Sequence, residues 1–91
     1  MSARRKLTLY GRARCHLCEE MFEDLQPLLA SRAVTLEEVD VDTGDTLRER
    51  YGLRVPVLVD DDATVLAEGR LDPDVLRRWL DGLASDPAVR P

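Results

Sequence analysis

Both cysteines of the chain fall in one tetrapeptide, Cys15-His16-Leu17-Cys18, which stands where one hydrophobic period is replaced by another. Before it, Lys6 to Tyr10 sets Leu7 and Leu9 on one face and Thr8 on the other, the alternation of a short strand. Gly11-Arg12-Ala13-Arg14 is a polar turn. After it, from His16 to about Arg32, Cys18, Phe22, Leu25 and Leu29 recur at spacings of four, three and four, with Met21 and Leu28 widening the stripe. That is a helical period. Glu19, Glu20, Glu23 and Asp24 occupy the other face and favour the positive end of the helix dipole. Cysteines three positions apart in a first helical turn share a face and fall within the Cα separation that a disulfide accepts.

The helix carries Pro27, which removes a hydrogen bond and predicts a kink or a loosened last turn near Glu23 to Pro27. Ala33 to Val41 reads as a second strand. Its apolar positions are Val34 and Leu36, then Val39 and Val41, so the phase slips at Glu37-Glu38, as a bulge or burial on both faces would require. Asp42-Thr43-Gly44-Asp45 opens a short helix capped by Thr43 or Asp42, with Leu47 and Tyr51 inward and Gly52 as a left-handed stop. Val55-Pro56-Val57-Leu58-Val59 is the most apolar run, a central strand with proline only at its start. Asp60-Asp61-Asp62 turns it into Thr64-Val65-Leu66-Ala67, and Gly69 ends the hairpin. Asp72-Pro73 then starts a helix whose stripe is Val75, Leu76, Trp79, Leu80 and Leu83. Residues 85–91 have little to bury and read as a frayed tail.

The order β-α-β-α-β-β-α has no repeat and no linker. It predicts a single domain over 1–91, with its core in 6–83. The expected architecture is a three-layer α/β sandwich on a mixed four-stranded sheet, its first two strands parallel and its hairpin at an antiparallel edge. At 91 residues one compact core is the upper limit.

Hydrophobic content of 44% against 34% charged residues is globular, and a net charge of −5 argues against nucleic acid or an anionic membrane as partner. Met1-Ser2-Ala3-Arg4-Arg5-Lys6 begins like a secretory leader, but no apolar segment follows, and no stretch is long enough to span a bilayer. The expectation is a cytoplasmic monomer. In that reducing compartment an isolated Cys-X-X-Cys points to catalysis or metal binding rather than a structural staple.

Cys15-His16-Leu17-Cys18, Glu38-Val39-Asp40-Val41-Asp42, Tyr51-Gly52-Leu53-Arg54-Val55-Pro56-Val57-Leu58 and the late Gly69 with Asp72 together resemble the glutaredoxins and small glutaredoxin-like domains of the thioredoxin-fold superfamily. The resemblance implies a cis Val55–Pro56 bond lying against the cysteines, and a Val55 backbone that pairs with an extended thiol substrate. It further implies substrate contacts from Gly69 and Asp72. Arg12 falls where the family has a basic residue. Two departures stand out. Glutaredoxins usually carry Cys-Pro-Tyr-Cys, and they have a Gly-Gly pair where this chain has Glu68-Gly69, followed by Arg70, Leu71 and Asp72. The resemblance thus admits glutathione as a co-substrate, held by part of the family's usual set.

At a helix N-terminus Cys15 faces unpaired backbone N–H groups, and Arg12, Arg14 and protonated His16 add positive charge. These are expected to lower its pKa from the ordinary value of about 8.5, making the thiolate dominant, while Cys18 faces the fold and stays a thiol. Cys15 would attack a substrate disulfide and Cys18 would resolve the mixed disulfide. The leading expectation is a thiol–disulfide oxidoreductase without metal or resident cofactor, whose partner is a disulfide-containing protein or glutathione. A non-enzymatic metal or iron–sulfur module would use the same thiolates, but two are half a tetrahedral shell and would need ligands from a second subunit or glutathione. A third reading is an interaction domain with incidental cysteines. His16 reads equally as a solvated turn residue. Arg4, Arg5 and Lys6 read as a solvated terminus, Trp79 and Phe22 as core, Tyr51 as packing and Asp60-Asp61-Asp62 as a turn.

Overall fold

The computed structural model describes residues 5–84, with side chains through Gly82. Arg4, the side chain of Leu83 and the tail expected over 85–91 lie outside the described residues. The elements are β1 (Arg5–Gly11), α1 (His16–Leu29), β2 (Val34–Asp40), a 3₁₀ turn (Val41–Thr43), α2 (Asp45–Tyr51), β3 (Val57–Asp60), β4 (Val65–Glu68) and α3 (Pro73–Ala84). The sheet order is β2-β1-β3-β4, with β1 parallel to β2 and antiparallel to β3, and β3 antiparallel to β4.

The alternation at Leu7 and Leu9 sends both into the core on one face of the sheet, where they meet Met21 and Leu25 of α1, Leu58, and Leu76 and Leu80 of α3. Tyr10, Val57 and Val59 point the other way and pack with Val41, Leu47 and Tyr51 against α2. Strand β3 is therefore buried on both faces, which is why its sequence is a continuous apolar run. Two helices cover one face and one covers the other, giving the three layers. Leucines buried this completely contribute about 1.5–3 kcal/mol each relative to exposure, and Leu7, Leu25, Leu58 and Leu76 are all inaccessible.

The slipped phase of β2 is not a bulge. The strand keeps unbroken parallel register with β1 from Val34 to Asp40, and its two halves serve opposite faces. Val34 and Leu36 join the α1/α3 core, while Val41, just past the strand, joins the α2 core. The one register shift falls instead in the hairpin, between Leu58 and Val59.

Several expected boundaries move. Helix α1 passes through Pro27 but stops at Leu29, short of Arg32, because Ala30 turns extended and Ser31 takes a left-handed φ of 64°. The segment after β2 is two pieces: Asp40, not Asp42 or Thr43, caps the 3₁₀ turn by accepting from Asp42 N, and α2 follows from Gly44 without a side-chain cap. Gly52 is right-handed (φ −56°), not left-handed. Strand β3 begins at Val57, with Val55 and Pro56 ahead of it, and β4 runs from Val65 to Glu68. Asp72 does open α3, its Oδ1 accepting from Asp74 N, with Pro73 as first helical residue. The Asp60-Asp61-Asp62 turn closes on Asp60, whose Oδ1 accepts from Asp62 N and Thr64 N.

Candidate active site

Strand β1, an inner strand of the sheet, ends at Gly11, and α1 begins after four intervening residues. The turn between them is tight enough to put Arg14 in the left-handed region (φ 61°). Cys15 is extended and serves as the N-cap of α1, its Sγ accepting from Cys18 N at 3.1 Å. The pair is joined as a disulfide, with the Cα atoms 5.2 Å apart. Cys15 is half-buried, whereas Cys18 is 8% exposed, so only the first sulfur meets solvent appreciably.

Cys18 is packed closely on Gly11. A Cβ on Gly11 would stand 3.3 Å from both Cβ and Sγ of Cys18, closer than side chains comfortably pack. Read from sequence, Gly11 is a turn residue; in the structure it ends β1 and makes room for the second cysteine. The β1–β3 register pairs Tyr10 with Val57, so Pro56, the next residue outward, stands at the level of Gly11.

The Val55–Pro56 bond is cis. Its segment is anchored at three points. Pro56 O accepts from Gly69 N at 2.8 Å, Arg54 pairs with Glu68 at 2.9 Å, and Gly52 O accepts from Arg12 Nη1 at 3.1 Å. Arg54 also lies over the Tyr51 ring, which stacks on Tyr10 with centroids 4.1 Å apart. Tyr51 is thus packing. Burial holds the Tyr10 phenol above its ordinary pKa.

Of the basic residues expected around Cys15, Arg12 is committed elsewhere. Its Nε and Nη2 donate to the two carboxylate oxygens of Asp42 at 3.0 and 3.3 Å, and the hydrogen bond with Asp42 raises its pKa. Gly52 accommodates this: a Cβ there would lie 2.5 Å from Arg48 O and 3.3 Å from Arg12 Nη2. Asp42 and Gly52 are the site residues that sequence reasoning missed, because each meets Arg12 only through the fold. Arg14 is exposed and makes no hydrogen bond or ion pair with the described residues. His16, the first residue of α1, has its side chain 83% exposed, with Nε2 3.7 Å from Glu20. Gly69 (φ 77°) holds Pro56, and Asp72 is engaged as the α3 cap.

Two clefts flank the start of α1. One, of about 430 Å3, runs between α1 and the ends of β1 and β2 and is lined by Arg12, Cys18, Phe22 and several carboxylates. The other, of about 270 Å3, lies between Leu17, Met21, Gly69 and Leu71. Among the described residues, the three carboxylates close enough together to share a cation are those of the Asp60-Asp61-Asp62 turn; there Asp61 is bound by Arg5, and Asp60 by Trp79 Nε1 at 3.2 Å. No described helix is long and apolar enough to cross a membrane.

This geometry agrees with what the chain is similar to. A family model described as "Glutaredoxin-like domain (DUF836)" matches residues 6–81. A Nitrosomonas europaea protein solved by NMR is 38% identical, with a TM-score of 0.76 over 87% of this chain and 94% of its own. A protein from X. campestris solved by X-ray crystallography is 39% identical, with a TM-score of 0.68 over 84% of this chain and 96% of its own. A variant thioredoxin from Halobacterium salinarum is 25% identical, with a TM-score of 0.64 over 88% and 74%. No curated protein matches. With its β-α-β-α-β-β-α order and its Cys15–Cys18 pair, the chain belongs to the glutaredoxin-like family of the thioredoxin fold, and its function is of the redox type.

Proposed function

We propose that the protein is a thiol–disulfide oxidoreductase in which Cys15 attacks and Cys18 resolves. The observation that carries this reading is the asymmetry of the pair. Cys15 caps α1 and meets solvent, while Cys18 is enclosed against Gly11. In the reduced protein a Cys15 thiolate keeps the Cys18 N–H as donor and the positive end of α1 behind it, both of which favour the anion. Arg12, paired with Asp42, adds little to this, so the helix terminus is the main source of activation, assisted by Arg14 and His16 only at the range of exposed charges.

The exchange proceeds in two displacements. The Cys15 thiolate attacks one sulfur of a substrate disulfide, forms a Cys15–S bond and expels one substrate thiolate. Cys18, losing its proton to solvent, then attacks Cys15 Sγ, expels the second thiolate and forms the intramolecular disulfide. Two electrons pass from the dithiol to the substrate, and an external thiol restores the dithiol by the reverse displacements. The substrate chain is read as lying along Val55 and Pro56, near Gly69, and a reducing cytoplasm is the setting that such a cycle calls for.

Alkylation of the reduced protein at about pH 6 tests the assignment, since only an activated thiolate reacts there. Cys15 is expected to be labelled, and Cys18→Ser should accumulate a stable mixed disulfide on Cys15 that mass spectrometry identifies. Preferential labelling of Cys18, or of neither, would overturn it.

A further inference from the structure

The cleft lined by Cys18 combines the apolar side chains of Leu9, Phe22 and Val39 with the carboxylates of Glu19, Glu23, Glu38 and Asp40. All four carboxylates are exposed. The one cation among its lining residues is Arg12, and the edge of the guanidinium that grips carboxylates is already filled by Asp42, while Nη1 is given to Gly52 O. Asp42 thus stands where the carboxylate of an incoming ligand would otherwise be received. On the other side of α1 the second cleft repeats the imbalance, with Glu20 and Asp24 against Arg70. A disulfide approaching Cys15 therefore meets one exposed cation, Arg14, next to Cys15 in the chain and without a partner among the described residues. That cation is outnumbered by the carboxylates of the clefts on both sides of α1, and the larger cleft holds no unpaired cation.

We propose that this site selects its substrate by charge: it acts on disulfides carried by basic or neutral polypeptide segments and discriminates against anionic thiols such as glutathione, with Asp42 as the specificity-determining residue. The inference rests on the oxidoreductase reading. Glutathione carries two carboxylates and one ammonium group, so its net charge is repelled by the carboxylates of the clefts. A Lys/Arg-flanked cysteine complements those carboxylates, and its apolar neighbours can meet Leu17, which is 44% exposed beside Cys18. Such pairing acts over about one Debye length, roughly 10 Å at 0.1 M salt, which confines it to groups at the clefts and makes it salt-sensitive.

The test is single-turnover oxidation of the reduced protein by three symmetric peptide disulfides, with cysteine flanked by Lys, Ser or Glu, and by glutathione disulfide. Each rate is divided by that of free mercaptoethanol with the same disulfide, which removes differences in leaving group. The expected order is Lys > Ser > Glu, with glutathione near Glu. The span should be on the order of tenfold at low salt and shrink towards unity near 1 M salt. Asp42→Asn should raise the Glu-to-Ser ratio several-fold by freeing Arg12. Glu23→Gln/Glu38→Gln, altering exposed side chains only, should narrow the Lys-to-Ser ratio, a change that loss of structure would not produce.

Equal normalised rates, or preference for the anionic peptide, would overturn the proposal while leaving the oxidoreductase reading intact. A Glu-to-Ser ratio left unchanged by Asp42→Asn in a folded protein would overturn the role of Asp42. Failure to oxidise with even the Ser peptide would instead overturn the oxidoreductase reading itself.

Discussion

Gly11 and Cys18 are in contact through the space that a side chain on Gly11 would take: its Cβ would come within 3.3 Å of Cys18 Cβ and Sγ. The second cysteine packs against the end of the first strand, with less than ordinary contact distance left for a Cβ there. Gly11→Ala should therefore destabilise the disulfide form by about 1–3 kcal/mol, the usual cost of overpacking. Equilibrium urea unfolding of the oxidised protein measures this, and an alanine variant as stable as the parent would refute the steric account.

Leu25 and Leu17 lie on one helix but on opposite sides of its function. Leu25 is fully buried between the sheet and α1, while Leu17 is 44% exposed. Leu25→Ala should cost about 2–5 kcal/mol through lost burial and the cavity left behind. Leu17→Ser should stay within about 0.5 kcal/mol, as surface changes do. Chemical denaturation of the two variants distinguishes them.

Pro27 sits inside α1 on its exposed side, where it cannot donate to Glu23 O. Pro27→Ala restores that donor and removes the ring's clash, a gain offset in part by the greater freedom of the unfolded chain. The net expectation is stabilisation by about 1–2 kcal/mol. A lower thermal midpoint in the variant would show that proline is required for the ending of the helix at Leu29.

Arg5 donates through its guanidinium to both carboxylate oxygens of Asp61, and this holds the Asp61 carboxyl below its ordinary value of 3.8. The unfolded chain then takes up the proton at higher pH than the folded one. The pair's contribution is complete above the ordinary carboxylate pKa and is lost as pH falls from there through the lowered folded value. Asp61→Asn should flatten that part of the acid limb, as read by thermal unfolding midpoints across the range. An unaltered acid limb would mean that the pair does not outlast competition from water.

The alternation at Leu7 and Leu9, the helical stripe through Leu25, the double-sided burial of Val57 to Val59 and the Asp72-Pro73 start each depend on neighbours within a turn or two, and the structure keeps them. Gly52 shows the opposite case. A glycine after a short helix suggests a left-handed stop, yet its backbone is right-handed, and the absent side chain answers to Arg48 O and to an arginine from another loop. The slip in β2 was legible as a slip, but only the placement of helices on both faces explains it. Arg12 was legible as a cation near the cysteines; that Asp42 neutralises it depends on the position of the 3₁₀ turn, for which the local pattern gives no signal.

The reach of Arg12 bears on the order in which the protein acquires its chemistry. It meets Asp42 across 30 residues and Gly52 across 40, whereas Cys15 and Cys18 are three apart. Closing a short loop takes little entropy and closing long ones takes more, so the two cysteines can pair in a chain that has not yet folded. The guanidinium clamp has to wait for the 3₁₀ turn and the end of α2 to dock, in the manner of contacts that lengthen the mean separation and slow folding. Oxidation state and conformation are consequently set by different parts of the chain. A nascent or unfolded molecule can carry the disulfide, but its sulfur atoms gain their unequal exposure only when α1 packs on β1, and their charged surroundings only when the segment from Asp42 to Gly52 docks.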